Sequence, residues 1–179
     1  MSESEPSPRA APSSWIVRFA GSVPNGGTVL DIACGSGRHA AYFLSRGHPV
    51  VAVDRHIAKL GALADEQGLE AVKADLEGGN PWPFPERRFA AVVVTNYLHR
   101  PLLSTLVESV APGGVLLYET FARGNEGFAG PSNPNFLLRP GELLEAVRGI
   151  LRVRAYEDLI LQQPRPAAIQ RIFAERESG

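Results

Sequence analysis

Val29-Leu30-Asp31-Ile32-Ala33-Cys34-Gly35-Ser36-Gly37-Arg38-His39-Ala40 reads as an apolar strand that carries an acidic residue, runs through a glycine loop and opens a helix. Gly35 and Gly37 permit a tight turn and a close backbone approach to a ligand, and Asp31 adds a carboxylate beside that ligand. The stretch therefore suits the grip of a nucleotide-type cofactor, and a carboxylate there favours an ammonium group over a phosphate.

Outward from this stretch, strands and helices alternate. Upstream, Ser14 is placed to cap a short helix to about Ala20, with Trp15, Ile16 and Phe19 toward one side, before Pro24-Asn25-Gly26-Gly27 breaks it. Downstream, the spacing of Ala40, Phe43 and Leu44 predicts a helix over 38–46 that stops at Gly47. A second strand follows over 49–53, then an amphipathic helix through Ile57, Leu60 and Ala64 to Gly68, and a third strand over 70–74. The proline-rich segment 78–88 must be a loop, because each proline removes a backbone donor. Phe89 to Thr95 is the continuous apolar run of a strand buried on both faces. A helix over 101–110, a turn at Pro112-Gly113-Gly114 and a fifth strand over 115–120 complete a βα rhythm that calls for a doubly wound sheet. Ligands of such sheets bind at the carboxyl ends of the strands. The long segment 121–138 is a functional or mobile loop, a helix covers 140–148, and strands over 152–161 and 168–175 pair antiparallel.

A chain of 179 residues supports one well-buried domain. We expect it over 14–179, preceded by a disordered leader over 1–13 that is rich in Ser and Pro. The net charge of -1 carries no general nucleic-acid footprint and moves small-molecule partners up the ranking. Apolar runs fall far short of the roughly 20 residues that span a bilayer. Cys34 is the single cysteine, which excludes an intrachain disulfide and fits the reducing cytoplasm. The four histidines show no ligand spacing, so no metal is expected.

Gly35, Gly37 and Ala40 also satisfy the G-x-G-x-x-A spacing of dinucleotide-binding folds. The fuller run Asp31-Ile-Ala-Cys-Gly-Ser-Gly37 closely resembles motif I of class I S-adenosylmethionine-dependent methyltransferases. The chain over 14–176, with Arg38 after the glycine loop and Glu157-Asp158 near its end, looks most like the small single-domain methyltransferases of the tellurite-resistance group. The resemblance implies a Rossmann-like three-layer α/β/α sandwich, with a mostly parallel seven-stranded sheet whose last strand is antiparallel. It also implies S-adenosyl-L-methionine as cofactor, with Asp31, Ala33, Gly35 and Gly37 near its amino-acid end. Asp54 would take the ribose hydroxyls, Asp75 and Leu76 the adenine, and Asn96 the methionine part. Asp54 equally suits a helix cap. In that group the basic residues mark an anionic acceptor, for which Arg38, Arg165 and Arg171 are the matches here; no histidine follows His99, so that part of the pattern is missing.

On the acceptor side, His99 suits a base and equally a packed or capping helix-start residue. Tyr118, Glu119 and Thr120 end the fifth strand; Glu119 suits a general base or a group that orients a cation, and equally a polar strand edge. Thr95-Asn96-Tyr97-Leu98 is not the Asn/Asp-Pro-Pro-Tyr motif of amino-methylating nucleic-acid enzymes. The expected activity is methyl transfer to a small-molecule acceptor by in-line displacement. Its rivals are a nicotinamide-dependent oxidoreductase, a non-catalytic cofactor-binding module and, behind these, a nucleic-acid methyltransferase.

Overall fold

A computed structural model describes residues 9–179. One seven-stranded sheet runs through it in the order β3-β2-β1-β4-β5-β7-β6. Its strands are β1 (Val29–Ile32), β2 (Val50–Asp54), β3 (Leu69–Lys73), β4 (Phe89–Thr95), β5 (Val110–Phe121), β6 (Arg152–Leu161) and β7 (Ala167–Glu175). Neighbours among β1 to β5 are parallel, while β7 runs antiparallel to both β5 and β6. The expected sandwich with an antiparallel last strand is the one the chain adopts.

Alternation along the central strands sends side chains to two separate cores. Leu30, Ile32, Val92, Val94, Leu116 and Tyr118 face one layer, where Leu106, Val107, Leu143 and Val147 come from α3 (Leu103–Glu108) and α4 (Glu142–Val147). Val29, Val50, Ala52, Val93 and Leu117 face the other, against Trp15 and Ile16 of α1 (Ser14–Phe19) and Phe43 of α2 (Arg38–Ser45). Burial on both faces explains why β4 reads as an unbroken apolar run. The edge strand β3 is half-buried to exposed throughout, in keeping with its Glu70 and Lys73.

Local chemistry corrects several boundaries. Ser13, not Ser14, caps α1, its hydroxyl accepting from the Trp15 amide at 3.2 Å. The helix expected after β2 is a 3-10 segment, Ile57–Asp65, broken at Gly61 by φ 56° and ψ -138°. The segment over 110–114 joins β5 instead of turning before it, through a bulge at which the register jumps from Phe89↔Val110 to Ala91↔Val115. Gly114 makes this possible: a Cβ there would lie 2.9 Å from three carbonyl oxygens, of Ala111, Ala90 and Phe89. The helix expected over 101–110 begins as a 3-10 turn, Arg100–Leu102, and becomes α3 only from Leu103.

The first eight positions of the expected leader lie outside the described residues. Over 9–13 the chain lies against the glycine loop, described below. Among the described residues, no helix is long and apolar enough to cross a membrane.

Candidate functional site

Chain order reverses between β1 and β4, so the loops that follow them diverge and leave a crevice at the strand ends. A cavity of about 560 Å³ occupies it, within the roughly 300–1,000 Å³ of ligand pockets. Two non-glycine residues on its wall, Ala33 and Asn96, hold left-handed backbone with φ 50° and 53°. Asn tolerates that region and Ala does not, so Ala33 carries strain of roughly 1–3 kcal/mol at the tip of β1. Such strain clusters where a backbone must present itself to a ligand.

The glycine loop is braced from both sides. Asp54 at the end of β2 accepts the Gly35 amide at 3.0 Å through Oδ2 and the His56 amide at 2.7 Å through Oδ1. Each oxygen keeps a second lone pair, and Asp54 lines the cavity. Gly37 precedes α2 at φ 78°, where an added Cβ would meet Leu60 and Leu63 methyls at 2.6 Å. Asp31 lies beneath the loop at 1% exposure, its Oδ2 accepting the Ala40 amide at 3.1 Å. Burial pushes its carboxyl up to about 7 against the pull of that bond and of Arg38. Asp31, Gly35 and Gly37 thus support the cavity, and of that stretch Ala33 reaches its wall.

At the β3 end, Asp75 and Leu76 also line the cavity, Asp75 accepting the Glu77 amide at 3.0 Å. Ala33, Asp54, Asp75, Leu76 and Asn96 therefore line one cavity. Sequence reading missed Arg55, His56 and Lys59 in the lining, together with Tyr97, Phe121 and Phe136. Aromatic residues in a loop rich in Gly and Pro were the available signal for the last two.

The acceptor-side expectations fare differently. Tyr118 is 1% exposed in the core and its hydroxyl donates to the Tyr97 carbonyl at 2.8 Å. It shares its face with Leu116 and lies two residues short of Thr120, the residue of that face that reaches the cavity. His99 lines a separate cavity of about 430 Å³ with Trp82 and Thr105. Glu119 accepts from the Ser13 hydroxyl at 2.7 Å and pairs with Arg171 at 3.1 Å. Arg171 also donates to Glu157 at 2.7 Å and lies 4.6 Å over the Trp15 ring. The Arg171 charge is thus neutralised twice, and Arg165 sits exposed in the β6–β7 turn. None of these five residues lines the main cavity.

Residues 9–13 form a strap over the start of α2. Arg9 donates to the Ser36 carbonyl at 2.8 Å, Arg38 donates to the Ala11 carbonyl at 3.1 Å, and the Ser13 amide donates to His39 Nε2 at 3.0 Å. Burial lowers the His39 pKa to about 3, so the imidazole stays neutral and keeps its acceptor nitrogen for Ser13. Ser13→Ala removes the helix cap and the bond to Glu119; we expect a loss of about 1–2 kcal/mol in urea unfolding. An unchanged midpoint would show that the strap contributes nothing.

The Phe121–Leu138 loop is ordered rather than loose. Arg100 donates to the Asn135 and Leu137 carbonyls at 2.9 and 2.7 Å and to both oxygens of Glu142 at 2.7 and 3.0 Å. Asn125, fully buried, donates to the Pro131 carbonyl at 2.9 Å and accepts from the Ala168 amide at 3.0 Å. These contacts hold Pro131 and Phe136 at the cavity. Among the described residues no group of three or more His, Cys, Asp or Glu gathers as a metal site. Burial pushes the Cys34 thiol well up, so it is an inert packing group.

Residues 29–114, from β1 into β5, match the family profile of a methyltransferase domain. Over 117 residues the chain is 38% identical to the ribosomal protein L11 methyltransferase of Xylella fastidiosa, a match covering 63% of this chain and 38% of that relative. The chain thus matches well under half of that relative's length. Among solved structures, TehB from Haemophilus influenzae superposes with a TM-score of 0.72 at 17% identity, covering 90% of this chain and 61% of that one. The 1,6-didemethyltoxoflavin-N1-methyltransferase of Burkholderia thailandensis gives 0.65 at 20% identity, covering 92% of this chain and 76% of that one. Both likenesses are of fold. The methyltransferase-domain match thus covers residues 29–114, the part of the Rossmann-like sheet that positions the crevice.

Proposed function

We propose that the chain is an S-adenosylmethionine-dependent methyltransferase acting on a small molecule, with residues 14–179 as one catalytic domain working in the cytoplasm. The observation that carries this reading is the single cavity lined by Ala33 and Asn96, both with left-handed backbone, and by the Asp54 and Asp75 carboxylates. The residues fit the cofactor. Asp54 retains lone pairs for ribose hydroxyls, Asp75 and Leu76 offer an acceptor and an apolar face for adenine, and Asn96 presents its backbone to the methionine part. Gly35 and Gly37 let the chain come close, and Asp31 sets negative charge beneath the amino end.

When bound, S-adenosylmethionine supplies a methyl group already activated as a sulfonium. The protein then needs chiefly to align the acceptor and exclude water. Tyr118, His99 and Glu119 stand off the cavity, which accords with a site that works by alignment rather than by a dedicated base. A nicotinamide cofactor would leave the Asp75-Leu76 pair without a role. A second reading, a protein acceptor, is favoured by the L11 methyltransferase match; it predicts methylation of ribosomal protein in a purified assay.

The test is calorimetric titration with S-adenosylmethionine, S-adenosylhomocysteine and NAD in parallel. We expect the first two alone to bind; binding of NAD alone would overturn the reading. Asp54→Ala should weaken S-adenosylhomocysteine roughly 10- to 100-fold, the loss of a charged hydrogen bond with its partners stranded. Unchanged affinity would remove Asp54 from the site.

A further inference from the structure

We propose that the methyl acceptor is a neutral, planar aromatic molecule rather than an oxyanion, an inference that rests on the function proposed above. Charge in the cavity is segregated. On the β2–β3 side stand Asp54, Asp75 and Glu77 with Arg55, His56 and Lys59, where the adenosine part would lie. On the β4–β5 side the lining residues Tyr97, Leu98, Thr120, Phe121, Pro131 and Phe136 are all uncharged.

Three arginines that hold the elements around the cavity are engaged with carboxylates. Arg171 is shared between Glu119 and Glu157, Arg100 spends its guanidinium on Glu142 and two loop carbonyls, and Arg139 reaches Glu142 at 3.3 Å. An oxyanion on the β4–β5 side would shed its water and find no cation among the residues that line that side, a net loss. A flat apolar molecule would lose little water and gain contact with three aromatic rings. Phe136 sharpens the point. It is 49% exposed although the rest of its turn is tied down, with Leu137 and Leu138 fully buried beside it. A large apolar side chain held out at the rim of a cavity is placed to cover a ligand.

The same lining limits the nucleophile. Burial and the neighbouring Glu77 carboxylate push the Tyr97 phenol up, so it stays protonated and is no base. In the transfer, a lone pair of the acceptor forms the new bond to the methyl carbon as the carbon–sulfur bond breaks and its electron pair stays on sulfur. The proton of an N–H or O–H acceptor passes to water. A heteroaromatic nitrogen meets these demands without help from a side chain.

The experiment is binding to the full chain saturated with S-adenosylhomocysteine, using benzimidazole and 2-naphthol as neutral planar probes and selenite and benzoate as anionic ones. We expect the neutral probes to bind at least tenfold more tightly. Phe136→Ala should weaken them tenfold or more while leaving the S-adenosylhomocysteine affinity within twofold, which also reports that the variant is folded. Selenite or benzoate binding equally well, neutral probes failing to bind, or indifference to Phe136→Ala would each overturn the inference alone. Failure of the wild-type chain to bind S-adenosylhomocysteine would overturn the proposed function and this inference with it.

Discussion

Replacing Arg100 by Ala should lower the unfolding free energy by about 3 kcal/mol at pH 7, the lower end of what breaking a buried ion pair costs. Glu142 is 8% exposed and takes its main compensation from the Arg100 fork, while Arg139 reaches it from a largely exposed position. Removing Arg100 strands the carboxylate and also leaves the Asn135 and Leu137 carbonyls without their donor. The pH dependence identifies the cause. Burial alone would push the Glu142 carboxyl up, but its bonds to Arg100 and Arg139 outweigh burial and hold it below its ordinary 4.5. A depressed carboxyl contributes stability that is present above 4.5 and is lost as pH falls through the lowered value. The gap between wild type and variant in urea unfolding should therefore be widest near neutrality and narrow in acid. A gap independent of pH would assign the loss to packing. Because Arg100 also holds the loop that carries Phe136, binding of the neutral probes should weaken alongside.

Asp31→Asn should act in the opposite direction, raising stability at pH 8 by about 2 kcal/mol. The wild-type carboxyl titrates near 7 when folded and at 3.8 ordinarily, because burial disfavours its charge. Between these values the folded state binds more protons than the unfolded one, so stability falls as pH rises through that window and levels off above it. At about 1.36 kcal/mol per pH unit the ceiling is about 4 kcal/mol. Asn keeps an oxygen for the Ala40 amide but brings an NH₂ group that needs a partner, which halves the gain. Unfolding free energies from pH 4 to 8 should slope downward in the wild type and run flatter in the variant. Equal slopes would remove Asp31 as the titrating group. Under the proposed function the same change weakens S-adenosylhomocysteine, since a neutral amide offers no charge to the cofactor's ammonium; stability and binding then move apart.

The sequence by itself determined the layers and the strand tips of this protein. Period-2 and helical patterns, punctuated by Gly47, Gly68 and the prolines over 81–85, set seven strands and their order in the chain. The apolar run of β4 marked the centre of the sheet, because only a strand buried on both faces can be apolar throughout. In a parallel sheet every such strand ends at the same rim, so Asp54, Asp75 and Asn96 were bound to gather there. The loop after β5 was legible as a functional or mobile element from its length alone.

What only the tertiary structure decided is which of the rim residues are free. Glu119 and Arg171 read as chemistry-bearing groups and are instead tied to each other, Glu119 also to Ser13, 106 positions away in the chain, and Arg171 also to Glu157. Tyr118 stays in the core because it lies two residues short of Thr120, the residue of its face that reaches the cavity, and His99 fell into a neighbouring cavity because the chain turns into a 3-10 segment at Arg100. The strap over 9–13 found an acceptor in His39, whose burial keeps it neutral. Local periodicity reports which face a side chain takes along its own element. Whether its charge is spent there depends on groups brought beside it by packing between distant segments, and that pairing has no periodic signature in sequence.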